Sequence, residues 1–180
     1  MGSAPLQKYV QAVEKLLTAG QATEHSYRPA LRDLLEDLMT GITATNEPKR
    51  VKCGAPDFVV ERGGLTVGYV EAKDIDVPLD KIEQDEQLGR YRRALSNLVL
   101  TDYLEFRWYV QGEGTQADKK LSARLATTQA GGKLVFDPEG AASVGEVRPA
   151  QEHRDGSHGL MPISANSRYA SSQVVALSRA

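Results

Sequence analysis

The apolar positions of this 180-residue chain change period along its length, and each change predicts an element. Leu6, Val10, Val13, Leu16 and Leu17 share one face of a helix over residues 5–18, with Gly20 as its stop. Leu31, Leu34, Leu35 and Leu38 form the buried stripe of a second helix, running from Thr23 or Ser26 to Met39. Either residue can cap it. Pro29 suits a first turn, which favours the later start and leaves Glu24 at the helix entrance. From Pro56 the period shortens. Residues 57–61 read as a strand, Arg62-Gly63-Gly64 as a turn, and residues 65–73 as the returning strand. After Pro78, residues 80–96 read as one amphipathic helix with Ile82, Leu88, Tyr91 and Leu95 inward. Strands are predicted at 97–101 and 104–110, and residues 121–126 and 133–136 as further strands or edge pieces. Beyond about Gly140 the pattern lapses into Ala, Ser, Gly and Arg, so residues 141–180 read as a flexible or truncated tail.

Composition narrows the class without naming a function. At 41% hydrophobic and 26% charged, the chain reads as globular, with one α/β domain over residues 1–140. The single cysteine, Cys53, excludes an internal disulfide framework and a cysteine-rich zinc site, which fits a cytoplasmic location. Lys8, Glu14 and Lys15 break up any secretory h-region, and no apolar run approaches the roughly 18–20 residues of a membrane span. A net charge of −2 is not that of a strongly basic nucleic-acid binder. Charge is nonetheless uneven: Lys49, Arg50 and Lys52 precede the hairpin, and Arg90, Arg92 and Arg93 follow it.

The candidate chemistry lies on the hairpin. If Gly63-Gly64 is a two-residue tip, Asp57 falls opposite Val70; with one residue more in the loop it falls opposite Glu71. Glu71 and Lys73, two apart on a strand, project from one face. Two carboxylates and an ammonium thus converge at one end of the hairpin. Two carboxylates suit a hard cation such as Mg²⁺, which binds oxygen and polarises phosphoryl groups, and a lysine beside it can orient water. On spacing alone, exposed strand residues and a post-proline aspartate fit equally well.

Pro56-Asp57 followed by Glu71-Ala72-Lys73 resembles the PD-(D/E)xK nuclease superfamily. Wider blocks extend the resemblance over about residues 20–140: Thr23 to Leu31, Thr45 to Pro48, Cys53 to Asp57 and Leu104 to Tyr109. These are similar to the N-terminal nuclease domain of single-polypeptide restriction-modification enzymes, in which a nuclease is fused to an adenine-N6 methyltransferase. Gln87 and Tyr91, at i and i+4 on a helix, resemble the Gln-x-x-x-Tyr motif of the RecB-like branch. The alternative for that pair is a core tyrosine and a solvated glutamine.

The resemblance implies a restriction-endonuclease-like fold, with a central mixed sheet flanked by helices, and Mg²⁺-dependent hydrolysis of DNA, with Mn²⁺ as an alternative ion. It implies Asp57 and Glu71 as metal ligands, with Glu24 and the Ala72 carbonyl contributing, and Lys73 and Gln87 as further catalytic residues. Glu24 is equally a helix-start glutamate favoured by the dipole. Tyr91, Lys49, Arg50 and Lys52 are the residues expected to contact DNA. His25, His153 and His158 carry no such expectation, and Trp108 reads as core.

No phosphate-binding loop or methyltransferase motif is present in this sequence. Targeting is therefore expected from a methyltransferase or target-recognition partner, and double-strand cleavage from a transient dimer. Two rivals stand beside the nuclease. One is a catalytically silent DNA-binding or assembly module of the same fold, and the other a nuclease acting on junctions or RNA.

Overall fold

The computed structural model describes residues 3–49, 53–111 and 117–145. Two N-terminal helices, α1 (Ala4–Thr18) and α2 (Glu24–Leu38), lead into β1 (Ile42–Asn46) and the hairpin of β2 (Phe58–Arg62) and β3 (Leu65–Ala72). Two short helices follow, α3 (Leu79–Ile82) and α4 (Glu86–Ala94). After them come β4 (Asn97–Thr101), β5 (Glu105–Gln111), β6 (Ala117–Arg124), a small hairpin of β7 (Ala126–Thr128) and β8 (Leu134–Phe136), and α5 (Pro138–Gly145). The main sheet has the order β1-β2-β3-β4-β5-β6. Only β3 and β4 run parallel; the other neighbours are antiparallel. A parallel pair needs a crossover, and α3 and α4 lie in that connection. The mixed sheet flanked by helices is an α/β fold of the restriction-endonuclease type, as the sequence led us to expect.

The two faces of the sheet bury separate cores. Leu6, Val10 and Val13 of α1 and Tyr27, Leu31 and Leu34 of α2 pack with Phe58, Val60, Val70 and Ala72. On the other face Leu88, Tyr91 and Leu95 pack with Leu98, Leu100 and Tyr109. Burial from both sides explains why β3 ends in three consecutive buried residues, Val70, Glu71 and Ala72. Glu71 pairs with Leu100 and so belongs to the α4 face, inside an otherwise apolar layer.

Several expectations are corrected. Helix α2 begins at Glu24, not Ser26, because Thr23 and Ser26 form a reciprocal capping box; Pro29 then lies within the helix. Residues 80–96 are not one helix: α3 ends at Ile82, and α4 restarts at Glu86 after Asp85. The break lets Glu83 meet Tyr109, Arg107 and Lys119. Strand β1 went unpredicted, since its burial alternates only at Ile42 and Ala44. The boundary placed at residue 140 falls inside α5, whose Ala141 and Val144 are buried in the core. Arg50, Lys52, His153 and His158 lie outside the described residues.

Candidate active site

A bulge in the hairpin decides which residues meet. Arg62 pairs with Leu65 across Gly63-Gly64, and Glu61 pairs with Thr66, as in a two-residue hairpin. Val60 then pairs with Gly68, leaving Val67 as an extra residue on β3. From there Val59 opposes Tyr69 and Phe58 opposes Val70. Continuing that register by one step sets Asp57 opposite Glu71. Without the bulge Asp57 would oppose Val70, whose side chain lies in the α1–α2 core. The bulge is pinned from β4: Asn97 Nδ2 donates to the Val67 carbonyl at 2.6 Å, and Asn97 Oδ1 accepts from Trp108 Nε1 at 2.5 Å. Gly68 leaves room for that amide, since a Cβ there would lie 3.3 Å from Asn97 Nδ2.

Around this end of the hairpin the charged groups form two linked clusters. In the first, Lys73 Nζ donates to Glu71 Oε1 at 2.7 Å, and Gln87 Nε2 donates to the same oxygen at 3.0 Å. Glu71 Oε2 is buried and has no hydrogen-bond partner among the described residues. Burial pushes the Glu71 carboxyl from 4.5 to about 7, despite the opposing hydrogen bond from Lys73. Burial acts to lower Lys73, but the Glu71 hydrogen bond and charge prevail and hold it above the ordinary value. The lysine is therefore a fixed cation.

In the second cluster, Asp57 Oδ2 accepts from the Ala72 N–H at 2.8 Å and Asp57 Oδ1 from Arg28 Nη2 at 2.5 Å. Burial raises the Asp57 carboxyl above its ordinary value; the Ala72 N–H and Arg28 pull it the other way. Arg28 Nη2 also donates to Glu24 Oε1 at 2.9 Å, and Nη1 donates to Glu47 Oε1 at 3.0 Å. The two clusters lie within electrostatic reach, since Glu24 and Asp57 both act on Glu71 and Lys73.

Tyr103 ties α2 to the sheet at this point. Its φ is +69°, a left-handed conformation that costs a non-glycine residue energy. Its hydroxyl donates to the Glu24 carbonyl at 2.8 Å, and its own carbonyl accepts from Tyr9.

The structure thus brings Asp57, Glu71, Lys73, Ala72, Glu24 and Gln87 to one end of the sheet. Of the expected DNA contacts, Tyr91 and Lys49 are described. Tyr91 is 1% exposed and sits in the core, so its reading as a DNA-contacting residue is corrected to the core alternative. Its hydroxyl supports Gln87 at 3.3 Å and meets the Ala55 backbone. Lys49 is exposed but makes no described contact with the clusters. Trp108 is core, as expected, at 7% exposure. His25 faces Glu47 at 3.6 Å on the surface.

Arg28 was missed by sequence reasoning. A signal existed: an arginine four residues after Glu24 and three before Leu31 interrupts the buried stripe of α2, where charge survives only if paired. Tyr103 and Asn97 had no such signal, because their partners lie 79 and 30 residues away.

The fold and the acidic hairpin end place the chain with domains of the restriction-endonuclease-like fold. No family model and no curated protein matches the sequence. Among solved structures, the chain is similar to a DrdV–DNA complex determined by cryo-electron microscopy, with a TM-score of 0.53 and 24% identity. The match covers 66% of this chain and 12% of that one. Likeness at that level speaks to the fold.

Proposed function

We propose that this chain is a divalent-metal-dependent endonuclease domain that hydrolyses DNA phosphodiester bonds, as part of a restriction-modification system. One observation carries the reading. Asp57, one residue before β2, and Glu71, near the end of the paired β3, lie at one end of the hairpin with Lys73 bonded to Glu71, and a buried Glu71 oxygen lacks any partner among the described residues. Lys73 meets only one oxygen of this carboxylate, and a cation on the other would offset the cost of ionising it in an apolar layer. The donor set is all oxygen, as Mg²⁺ or Mn²⁺ requires. Among the described residues no group of three or more His, Cys, Asp or Glu forms a ready-made metal cluster. The fit therefore rests on Asp57 and Glu71, with the Ala72 carbonyl as a further ligand and Glu24, held by Arg28 at 2.9 Å, joining through a bound water. When bound, such an ion polarises a phosphoryl oxygen and makes a bound water more acidic.

The chain's own residues supply the rest. Lys73 holds a positive charge where negative charge grows on the phosphorane. Gln87, an exposed residue, orients Glu71 through its amide N–H, and its side-chain carbonyl can accept from a water. DNA as substrate is supported by the neighbour, which is a complex with DNA, and by Lys49, Arg90 and Arg93 exposed on the surface. That neighbour's chain is much longer than this one, so target recognition and a methyltransferase are proposed to come from a further domain or partner. A second reading, a silent DNA-binding module, is favoured by the engagement of both Asp57 oxygens.

The deciding experiment incubates supercoiled plasmid with the protein and Mg²⁺ or Mn²⁺, beside Lys73→Ala and Asp57→Ala. Nicking by the unmodified protein and not by either variant is expected. Equal nicking by all three would end the assignment, and metal-independent DNA retention without nicking would favour the binding module.

A further inference from the structure

Arg28 sits where a cation belongs. Its side chain is 6% exposed, and its two terminal nitrogens serve Glu24, Asp57, Glu47 and Asn46. The Nε, by contrast, is buried without a partner among the described residues. Arg28 is thus held only at its tip. Its two nitrogens also face different surroundings. Nη2 spans Glu24 and Asp57, both within electrostatic reach of Glu71 and Lys73. Nη1 rests on Glu47, whose side chain is 66% exposed.

Charge makes the arrangement incomplete. With all four carboxyls ionised, the state a bound cation would favour, Glu24, Glu47, Asp57 and Glu71 carry four negative charges against Arg28 and Lys73. The deficit of two is what one divalent cation would neutralise, yet Asp57 Oδ1 already faces the Arg28 guanidinium at 2.5 Å. Two cations cannot share that oxygen at ligand distance without strong repulsion.

Resting on the metal-site reading above, we infer that Arg28 is a built-in counter-cation that competes with the divalent ion for Asp57. In the metal-free protein it holds Asp57 and Glu24 together. When the site loads, it gives up Asp57 and keeps Glu47 and Asn46 through Nη1. Arg28 is thus a positioning residue that sets how much divalent ion the site needs.

The test uses Mn²⁺ alone, titrated into the full chain and followed by the electron paramagnetic resonance signal of free ion, with no DNA present. Unmodified protein, Arg28→Gln, Arg28→Lys and Asp57→Asn are compared, and far-UV circular dichroism checks folding. Arg28→Gln should bind Mn²⁺ about tenfold tighter than the unmodified protein, because a positive charge beside a ligand oxygen is gone. Arg28→Lys, which keeps the charge but cannot bridge two carboxylates, should fall between them. Folded Arg28 variants that bind Mn²⁺ no tighter than the unmodified protein would overturn the inference. A second measurement needs no variant: the Arg28 Nε–Hε resonance of the unmodified protein should shift on adding Mg²⁺, and an unmoved resonance at saturation would overturn it too. The two readings fail separately. If the unmodified protein and Asp57→Asn bind Mn²⁺ equally, the metal site itself is lost and this inference with it. If Asp57→Asn loses binding while folded Arg28→Gln binds no tighter than the unmodified protein, the metal site stands and only the competition falls.

Discussion

Replacing Glu71 with glutamine is expected to stabilise the domain at alkaline pH while removing cleavage. Glu71 is 4% exposed, and burial raises its carboxyl from 4.5 to about 7 against the opposing pull of Lys73. A carboxyl raised on folding holds its proton more tightly in the folded chain than in the unfolded one. Its stabilising contribution is complete below the unfolded value of 4.5 and is lost as pH rises through about 7. At about 1.36 kcal/mol per pH unit, the loss comes to about 3 kcal/mol. The attraction of Lys73 is already contained in that figure, since it helped to set the folded value. Glutamine keeps the shape and an Oε1 acceptor for Lys73 and Gln87, but has no charge to desolvate. The assay is urea denaturation of both proteins from pH 5 to pH 8 without divalent metal. The difference in unfolding free energy should grow with pH in favour of Glu71→Gln, by up to about 3 kcal/mol. Asp57 and Asp102, also raised by burial, are present in both proteins and largely cancel in the difference. Parallel stability curves, or a variant weaker than its parent at pH 8, would refute the reasoning.

Three other perturbations follow from packing. Gly140→Ala would set a Cβ 1.8 Å from the Arg124 carbonyl oxygen, so α5 must leave β6; a loss of at least about 3 kcal/mol is expected in thermal or urea unfolding. Asn97→Leu strips partners from the Val67 carbonyl at the bulge and from the Trp108 indole, and should cost about 2–4 kcal/mol with faster amide exchange along β3. Normal stability in that variant would mean that the bulge does not depend on Asn97. Tyr103→Phe deletes the hydroxyl that holds the Glu24 carbonyl and should cost about 1 kcal/mol, with a proportionally larger drop in Mn²⁺ affinity if Glu24 is a ligand.

Local pattern alone determined much of this protein. The 3.6-residue spacing of Leu6, Val10 and Val13 and of Leu31 and Leu34 marked α1 and α2, and Gly63-Gly64 marked the hairpin tip. Strand β4 lies where its apolar run predicted, over Asn97–Thr101. These features are legible because the forces that set them act between residues a few positions apart. The trio Asp57, Glu71 and Lys73 was legible for the same reason, as neighbours along one hairpin. Which residue Asp57 opposes was not. The turn alone would have set it against Val70, and a one-residue bulge, pinned by an amide from a strand 30 residues away, moved it to Glu71. Nor could local spacing show that Arg28 reaches Asp57 across 29 residues, or that a strained Tyr103 holds Glu24 from 79 residues away. Those contacts exist only after two helices and a sheet have packed. Burial then turns a charge that would cost little on a surface into one that must find a partner. The sequence determined which chemical groups this end of the sheet carries; tertiary structure decided how they are paired and charged.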